Sequence, residues 1–95
     1  MITAMAPQPI EKEKIAHLRF TSDSIVSTDP MKLRSKLEQA TRMGNLDRVK
    51  VRIIFQDDEG QKYTETTIWA TSQRHIVLKG GITIPIHRII DVLLI

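Results

Sequence analysis

The sequence predicts an α+β fold that is mostly β: an N-terminal strand and a capped helix, then a five-stranded antiparallel meander curled into a small barrel. Three observations support this fold class. The apolar residues are mainly Ile, Leu and Val, and side chains branched at Cβ pack well on a pleated surface. The apolar period changes from that of a helix to two after Leu46. Turn residues then recur at short intervals up to the C-terminus.

We expect one domain over residues 15–95, preceded by a flexible leader over residues 1–14. The leader contains two prolines and an E-K-E-K run, and it has few side chains to bury. A domain of this length buries only about 60–65% of its unfolded surface, so its core is small. Association with another chain would therefore stabilise it.

The first element of the domain is predicted to be a strand over residues 15–26. Polar and apolar side chains alternate in this stretch, with His17 and Arg19 on one face. Leu18 and Phe20 form the other face. This alternation is typical of a strand with one buried side.

A helix with two marked ends is predicted to follow. Asp29 is suited to cap the first free amides, and Pro30 suits the first helical position because its missing N–H has no partner there. Gly44 is expected to take the left-handed conformation that closes the helix. Between the ends, an apolar stripe falls at helical spacing on Leu33, Leu37 and Ala40.

The meander is predicted from alternating apolar residues. Its five strands are expected at residues 49–55, 62–70, 74–79, 82–86 and 89–95. Asp57–Gly60 has the composition of a solvated turn, and Gly80–Gly81 that of a tight hairpin turn of the primed type. On the first strand Val49, Val51, Ile53 and Phe55 share the inner face, so Lys50 and Arg52 point outward. On the second strand we place Ile68 and Ala70 inside.

The composition excludes several classes of function. Cysteine is absent, so disulfides, thiolate metal sites and cysteine nucleophiles are excluded, and a reducing cytoplasm is the expected compartment. No signal-peptide pattern opens the chain, and no apolar run approaches the roughly 20 residues of a spanning helix, so we expect no membrane partner. The net charge of +3 comes from interleaved acids and bases, which permits anion binding without arguing for it.

Residue types that often act in catalysis are present, but they do not lie in the sequence patterns that catalytic sites require. Gly80–Gly81 leads into a strand with Pro85, so no helix N-terminus is available for a phosphate. The histidines His17, His75 and His87 do not have metal-ligand spacing, and no serine or threonine has the context of an activated nucleophile. We therefore expect no enzyme activity, no metal and no cofactor.

An outer strand face offers two cations and two aromatic rings. Lys50 and Arg52 on the first strand would face Tyr63 and Trp69 on the second, where they could stack bases or hold a peptide. The alternative, which we favour, places Trp69 under the helix or the N-terminal strand, because a lone Trp in a small core usually serves packing.

A capped helix followed by five short, curled strands resembles the Sm-like subgroup of SH3-like small barrels, over about residues 29–95. The C-terminal stretch ITIPIHRIIDVLLI is similar to the ending of such barrels: a strand, a one-turn corner at Pro85 and His87–Arg88, and a closing strand. The resemblance implies a barrel and self-association through strand edges. Lys79–Gly80 falls one strand earlier than the family's Lys-Gly pair, so the family's RNA site is not implied.

These observations favour a non-enzymatic interaction or regulatory module that self-associates, because the apolar residues 92–95 occupy both faces of the last strand. A protein partner is a further expectation. The alternative is a protein that binds RNA or another single-stranded nucleic acid. The residues expected to contact a partner or nucleic acid are Lys50, Arg52, Trp69, Arg74, His75, His87 and Arg88.

Overall fold

The computed structural model describes residues 6–25 and 29–95, which contain one long helix, seven strands and two 3₁₀ helices. The strands are β1 (Gln8–Pro9), β2 (Val51–Gln56), β3 (Gln61–Thr66), β4 (Ile68–Thr71), β5 (His75–Leu78), β6 (Thr83–Pro85) and β7 (Ile89–Leu94). The helix α1 spans Pro30–Asp47, and the 3₁₀ helices span Lys12–His17 and Ile86–Arg88.

The strands form two separate sheets. The first is mixed and has the order β1-β3-β2-β7, with β1 parallel to β3 and the other pairs antiparallel. The second is antiparallel and has the order β4-β5-β6. The predicted α+β class is confirmed, and β2–β3 and β4–β5–β6 are antiparallel neighbours as predicted. The single five-stranded meander is not formed, because its strands divide between these two sheets and do not close into the predicted barrel. Both sheets are open among the described residues, because no ladder joins β3 to β4 or β6 to β7.

The break between β3 and β4 changes the side that several residues face. We predicted one strand over residues 62–70, but Thr67 separates two strands, and the register then shifts between Ile68 and Ala70. The shift leaves Trp69 as the extra residue of a bulge. Ala70 is exposed, so its predicted inward position is wrong. Trp69 is 47% exposed, so the packing position that we favoured for it is wrong as well.

The core lies between the two sheets and under α1. The predicted alternation on β2 is confirmed, since Val51, Ile53 and Phe55 are buried. The other buried apolar side chains are Ile15, Leu33, Leu37, Ala40, Ile68, Ile76, Leu78, Ile84, Ile89 and Val92. No helix within the described ranges has the length and hydropathy needed to cross a membrane.

The N-terminal segment differs from the prediction. The strand predicted over residues 15–26 is wrong: its first residues belong to the 3₁₀ helix Lys12–His17, and the stretch 18–25 has no strand partner. The backbone of this segment is bound by loops and not by a neighbouring described strand. The Asp58 N–H donates to the Arg19 carbonyl at 2.9 Å, and the Ile25 N–H donates to the His87 carbonyl at 2.9 Å. Phe20 meanwhile packs on Phe55, with 5.9 Å between ring centres.

The proposed leader and domain boundary at residue 14 falls inside that 3₁₀ helix. Within the leader, β1 pairs with β3, while residues 1–5 lie outside the described ranges, as do residues 26–28 of the predicted strand.

The start of α1 is as predicted, but its end is not. The Asp29 carboxylate accepts a hydrogen bond from the Lys32 N–H at 3.0 Å, and Pro30 is the first helical residue. The helix does not close at Gly44; it continues to Asp47, and Arg48 takes the left-handed conformation with φ 56° and ψ 35°. Gly44 is buried against β4 instead, where a Cβ would lie 2.7 Å from the Ile68 carbonyl oxygen.

The Gly80–Gly81 hairpin and the proline-marked corner are both present. The Gly81 N–H donates to the Leu78 carbonyl at 2.8 Å, which places Lys79 and Gly80 at the centre of the turn. Gly80 has φ 92°, whereas Lys79 does not have a positive φ, so the turn has the type II pattern and not the primed one. After Pro85, the 3₁₀ helix Ile86–Arg88 forms the predicted one-turn corner.

Gly44→Ala is expected to lower the free energy of unfolding by about 1–3 kcal/mol, because overpacking against a backbone oxygen outweighs the gain in helix propensity. Urea unfolding monitored by circular dichroism measures this change. Ser35→Ala, at an exposed position of α1, is the matched control and should leave stability unchanged or slightly higher. A stabilised Gly44→Ala variant would show that the helix does not need this close approach.

Candidate functional site

The seven residues predicted as contact residues lie in several places. Lys50 precedes β2 and Arg52 lies on it, whereas Trp69 lies on β4. Arg74 ends the turn between β4 and β5, and His75 begins β5. Both lie next to the corner that holds His87 and Arg88, since the Ile86 N–H donates to the Arg74 carbonyl at 2.8 Å. The structure therefore places them in at least three locations and not on one continuous face.

On the outer face of the first sheet, Arg52 contacts both Glu65 and the ring of Tyr63. The Arg52 Nε donates to Glu65 Oε2 at 2.7 Å, and the guanidinium carbon lies 4.6 Å from the centre of the Tyr63 ring. This geometry is a cation–π contact combined with an ion pair. One face of the Tyr63 ring is therefore already covered, and the charge of Arg52 is already paired.

Arg88 is buried in the corner and binds backbone. Only 5% of it is exposed. Its Nε donates to the Gln56 carbonyl at 3.1 Å, and its Nη1 donates to the Asp23 carbonyl at 2.8 Å. The side chain thus joins the end of β2 to the N-terminal segment. Nearby, His87 Nε2 lies 3.0 Å from the Thr21 carbonyl oxygen, so both corner side chains contact the chain itself.

The turn between β2 and β3 contains a buried carboxylate that the sequence reasoning described as solvated. Asp57 is only 1% exposed. Its Oδ1 accepts hydrogen bonds from the backbone N–H groups of Glu59 at 2.9 Å and Gly60 at 3.0 Å, and its Oδ2 binds the Lys62 ammonium. An aspartate three residues before a glycine is the common pattern of such a turn, so this signal was available in the sequence.

The protonation equilibria of this turn follow from the same contacts. Burial alone would raise the pKa of Asp57, but the hydrogen bonds from Lys62, Glu59 and Gly60 outweigh burial and hold it below its ordinary value. The hydrogen bond to Asp57 in turn raises the pKa of Lys62. The carboxylates of Asp57, Asp58 and Glu59 come within 4.8 Å of one another, and the Lys62 ammonium supplies the positive charge beside them.

A groove of about 650 Å³ lies between the N-terminal segment and β3. It is lined by residues 9–14, Lys50, residues 63–66 and Lys79. The Lys12 ammonium is paired with Glu13, whereas Lys14, Lys50 and Lys79 have no ion pair among the described residues. The sequence reasoning missed this set of lysines because they come from three separate segments.

A smaller apolar groove of about 160 Å³ lies between α1 and β7. Its lining is Lys36, Gln39, Ala40, Met43, Val51, Val92, Leu93 and Leu94. The last residues beside it are exposed apolar side chains: Leu93 is 38% exposed, Leu94 70% and Ile95 62%. β7 is also the last strand in the order of the first sheet.

Comparison with protein families, curated proteins and solved structures finds no match to this chain.

Asp57→Asn is expected to lower the free energy of unfolding near pH 7 by about 1–3 kcal/mol, because the amide loses the ionic hydrogen bond from Lys62. The folded-state pKa of Asp57 lies below its ordinary value of 3.8, so this stabilisation is complete above that pH and is lost as the pH falls through the folded pKa. Urea unfolding from about pH 7 to pH 2 should therefore show the difference from wild type shrinking only below about pH 4.

The control for this titration is Asp58→Asn, at the exposed neighbouring position, which should change stability little at any pH. Equal losses for both variants would contradict a specific role for Asp57.

Arg88→Met keeps an unbranched apolar stem but removes the guanidinium donors, and we expect it to cost about 2–4 kcal/mol because two carbonyls lose their partners. It should also speed tryptic cleavage after Arg19, because the segment is no longer tied to the corner. Urea unfolding and limited proteolysis measure the two effects. Arg74→Met, at an exposed position, is the control; unchanged cleavage in Arg88→Met would show that this clamp does not hold the segment.

Proposed function

We propose that this chain is a non-enzymatic interaction or regulatory module that self-associates through the outer edge of β7, which has no partner strand among the described residues. The observation that supports this proposal best is the position of the exposed Leu93, Leu94 and Ile95 at an open sheet edge, next to an apolar groove. Unpaired strand edges bind other strands readily, and exposed apolar residues at such an edge favour association.

The backbone of β7 limits where a second copy can pair. Successive residues of a central antiparallel strand bind its two neighbours in turn. The Asp57 N–H bond to the Gly60 carbonyl sets this order, so the even-numbered residues of β2 bind β7. In the register between β2 and β7, the backbone groups of Val92 and Leu94 then point away from β2, toward the outer edge of β7. The Val92 N–H is already taken by Asp91 Oδ1 at 2.8 Å, and Lys36 holds Asp91 in place at 3.0 Å. The part of the edge beside Leu94 therefore offers the better place for a partner strand.

The proposal extends to the fold. We assign the helix and β2–β7 to a partly open small barrel of the Sm-like kind. Support comes from the order of the elements, from β3 and β4 as two segments separated by Thr67 alone, and from β7 returning to pair with β2 after the corner. We place the protein in the cytoplasm, in line with its lack of cysteine.

Single-stranded nucleic-acid binding is the alternative proposal. Exposed Lys50, Trp69, Arg74 and His75 support it, since cations and a free ring are what a sequence-tolerant site uses. It has less support than self-association because Trp69 lies on the second sheet whereas Lys50 precedes β2 of the first, and because Arg52 and Arg88 already have partners within the chain.

Leu94→Lys is expected to weaken self-association by about 10- to 100-fold, since burying one leucine contributes about 1.5–3 kcal/mol. Light scattering coupled to size exclusion, over a concentration series, should show the wild type above the monomer mass of 10.9 kDa and the variant close to it. Met31→Lys is the matched control, because Met31 is 84% exposed on α1 and outside the groove. A wild type that stays monomeric at millimolar concentration would refute the proposal.

A further inference from the structure

On the outer edge of β3, the backbone groups of Glu65 have no backbone partner in the part of the chain that the structure describes. The Ile10 N–H donates to the Tyr63 carbonyl at 2.9 Å, so the backbone groups of Tyr63 point away from β2 and toward β1. Strand residues alternate in this direction, so Glu65 points the same way. The antiparallel register gives the same result, because it places Arg52 and Glu65 in a non-hydrogen-bonded pair. Within the described ranges, neither the N–H nor the carbonyl of Glu65 has a backbone partner.

The neighbouring positions on this edge are occupied, so the gap is short and bounded. On one side, β1 pairs only as far as Pro9 and Tyr63, after which the chain turns into its first 3₁₀ helix. On the other side, the Lys79 N–H donates to the Thr67 carbonyl at 3.0 Å. The gap between these two contacts opens into the 650 Å³ groove.

The charge around this gap is positive. Lys14, Lys50 and Lys79 line the groove without ion-pair partners in the described part of the chain. Of the acids in the lining, Glu13 is paired with Lys12 and Glu65 with Arg52, which leaves Glu11. Unpaired positive charge therefore exceeds unpaired negative charge beside the open backbone groups.

These observations favour a peptide over a nucleic acid as the ligand. A free N–H and a free carbonyl on a strand edge are complementary to another peptide backbone, which adds as a further strand. A nucleic acid bound in such a groove normally stacks its bases on aromatic rings. Here the ring of Tyr63 has one face covered by Arg52, and Trp69 is not part of the lining.

We propose that this groove binds an extended acidic peptide segment of a partner protein, which pairs with the backbone of Glu65 while its carboxylates contact Lys14, Lys50 and Lys79. The site is separate from the β7 edge proposed for self-association, since β3 and β7 lie on opposite sides of β2.

Fluorescence anisotropy with a labelled peptide of about ten residues, alternating aspartate and valine, tests the proposal at low salt. We expect saturable binding of this peptide and none of the matching lysine–valine peptide. Two further acidic peptides, one N-methylated at every valine and one at every aspartate, separate backbone pairing from charge alone. A peptide strand that pairs through one edge uses the N–H groups of every second residue, which are either the valines or the aspartates. One of the two methylated peptides should therefore lose at least about tenfold in affinity.

The protein variants test the position of the site. Lys50→Glu with Lys79→Glu should weaken binding at least about tenfold, since rim charges govern attraction of a charged partner. Lys32→Glu with Arg42→Glu makes the same change in net charge at exposed positions of α1 outside the groove and should leave affinity within about twofold. Leu94→Lys should also bind normally, so failure of self-association and failure of this proposal can be told apart.

An amide-resolved NMR experiment gives a readout that does not depend on the variants. In the free protein the Glu65 amide should exchange rapidly with solvent, while those of Thr64 and Thr66 are protected by β2. Saturation with the acidic peptide should protect Glu65. The proposal is overturned if the acidic peptide does not bind, if both N-methylated peptides bind as well as the parent, or if Glu65 stays unprotected. Tighter binding of a ten-nucleotide oligothymidylate than of the peptide would assign the groove to nucleic acid instead.

Discussion

The close contact between α1 and the junction of β3 and β4 is the constraint on which the rest of the structure depends. Thr67 is buried at this junction, and Gly44 brings the helix so near that a single added carbon would lie 2.7 Å from Thr67 Cγ2 and from the Ile68 carbonyl oxygen. The junction joins the two sheets, because β3 belongs to the first and β4 to the second. Packing the helix on it therefore fixes both sheets around one core.

The same junction explains the surface features on either side of it. Beyond Thr67 the chain turns away to pair with β5, and the bulge that follows puts Trp69 outside. Before Thr67, the outer edge of β3 has no further strand beside it, among residues 6–25 and 29–95, once β1 ends. The exposed indole of Trp69 and the Glu65 backbone, which no described strand pairs with, are thus two consequences of one change in direction. The N-terminal segment covers only the start of that edge. Farther along this segment, Arg88 holds it in place by donating to the Asp23 carbonyl.

The features that could be predicted from the sequence are those set by neighbouring residues. The Asp29 cap, the alternation on β2 and the one-turn corner after Pro85 each follow from a local pattern. The features that could not be predicted depend on distant parts of the chain. A glycine such as Gly44 is typical of a helix end, but here it is the close backbone of β4 that requires a glycine. The stretch 15–25 has the alternation of a strand, but its backbone binds Asp58 and His87 in loops that come more than thirty residues later.

The candidate sites show the same division. The apolar end of β7 was visible in the sequence, because its residues are consecutive. The lysine groove was not, because Lys14, Lys50 and Lys79 meet only after the N-terminal segment has folded onto β3. Both surfaces belong to the first sheet but to strands on opposite sides of β2, so a partner strand at one edge leaves the backbone groups of the other free. An oligomer formed through β7 would therefore present one basic groove per subunit, and a partner with several acidic segments would bind it with the gain that multivalency provides.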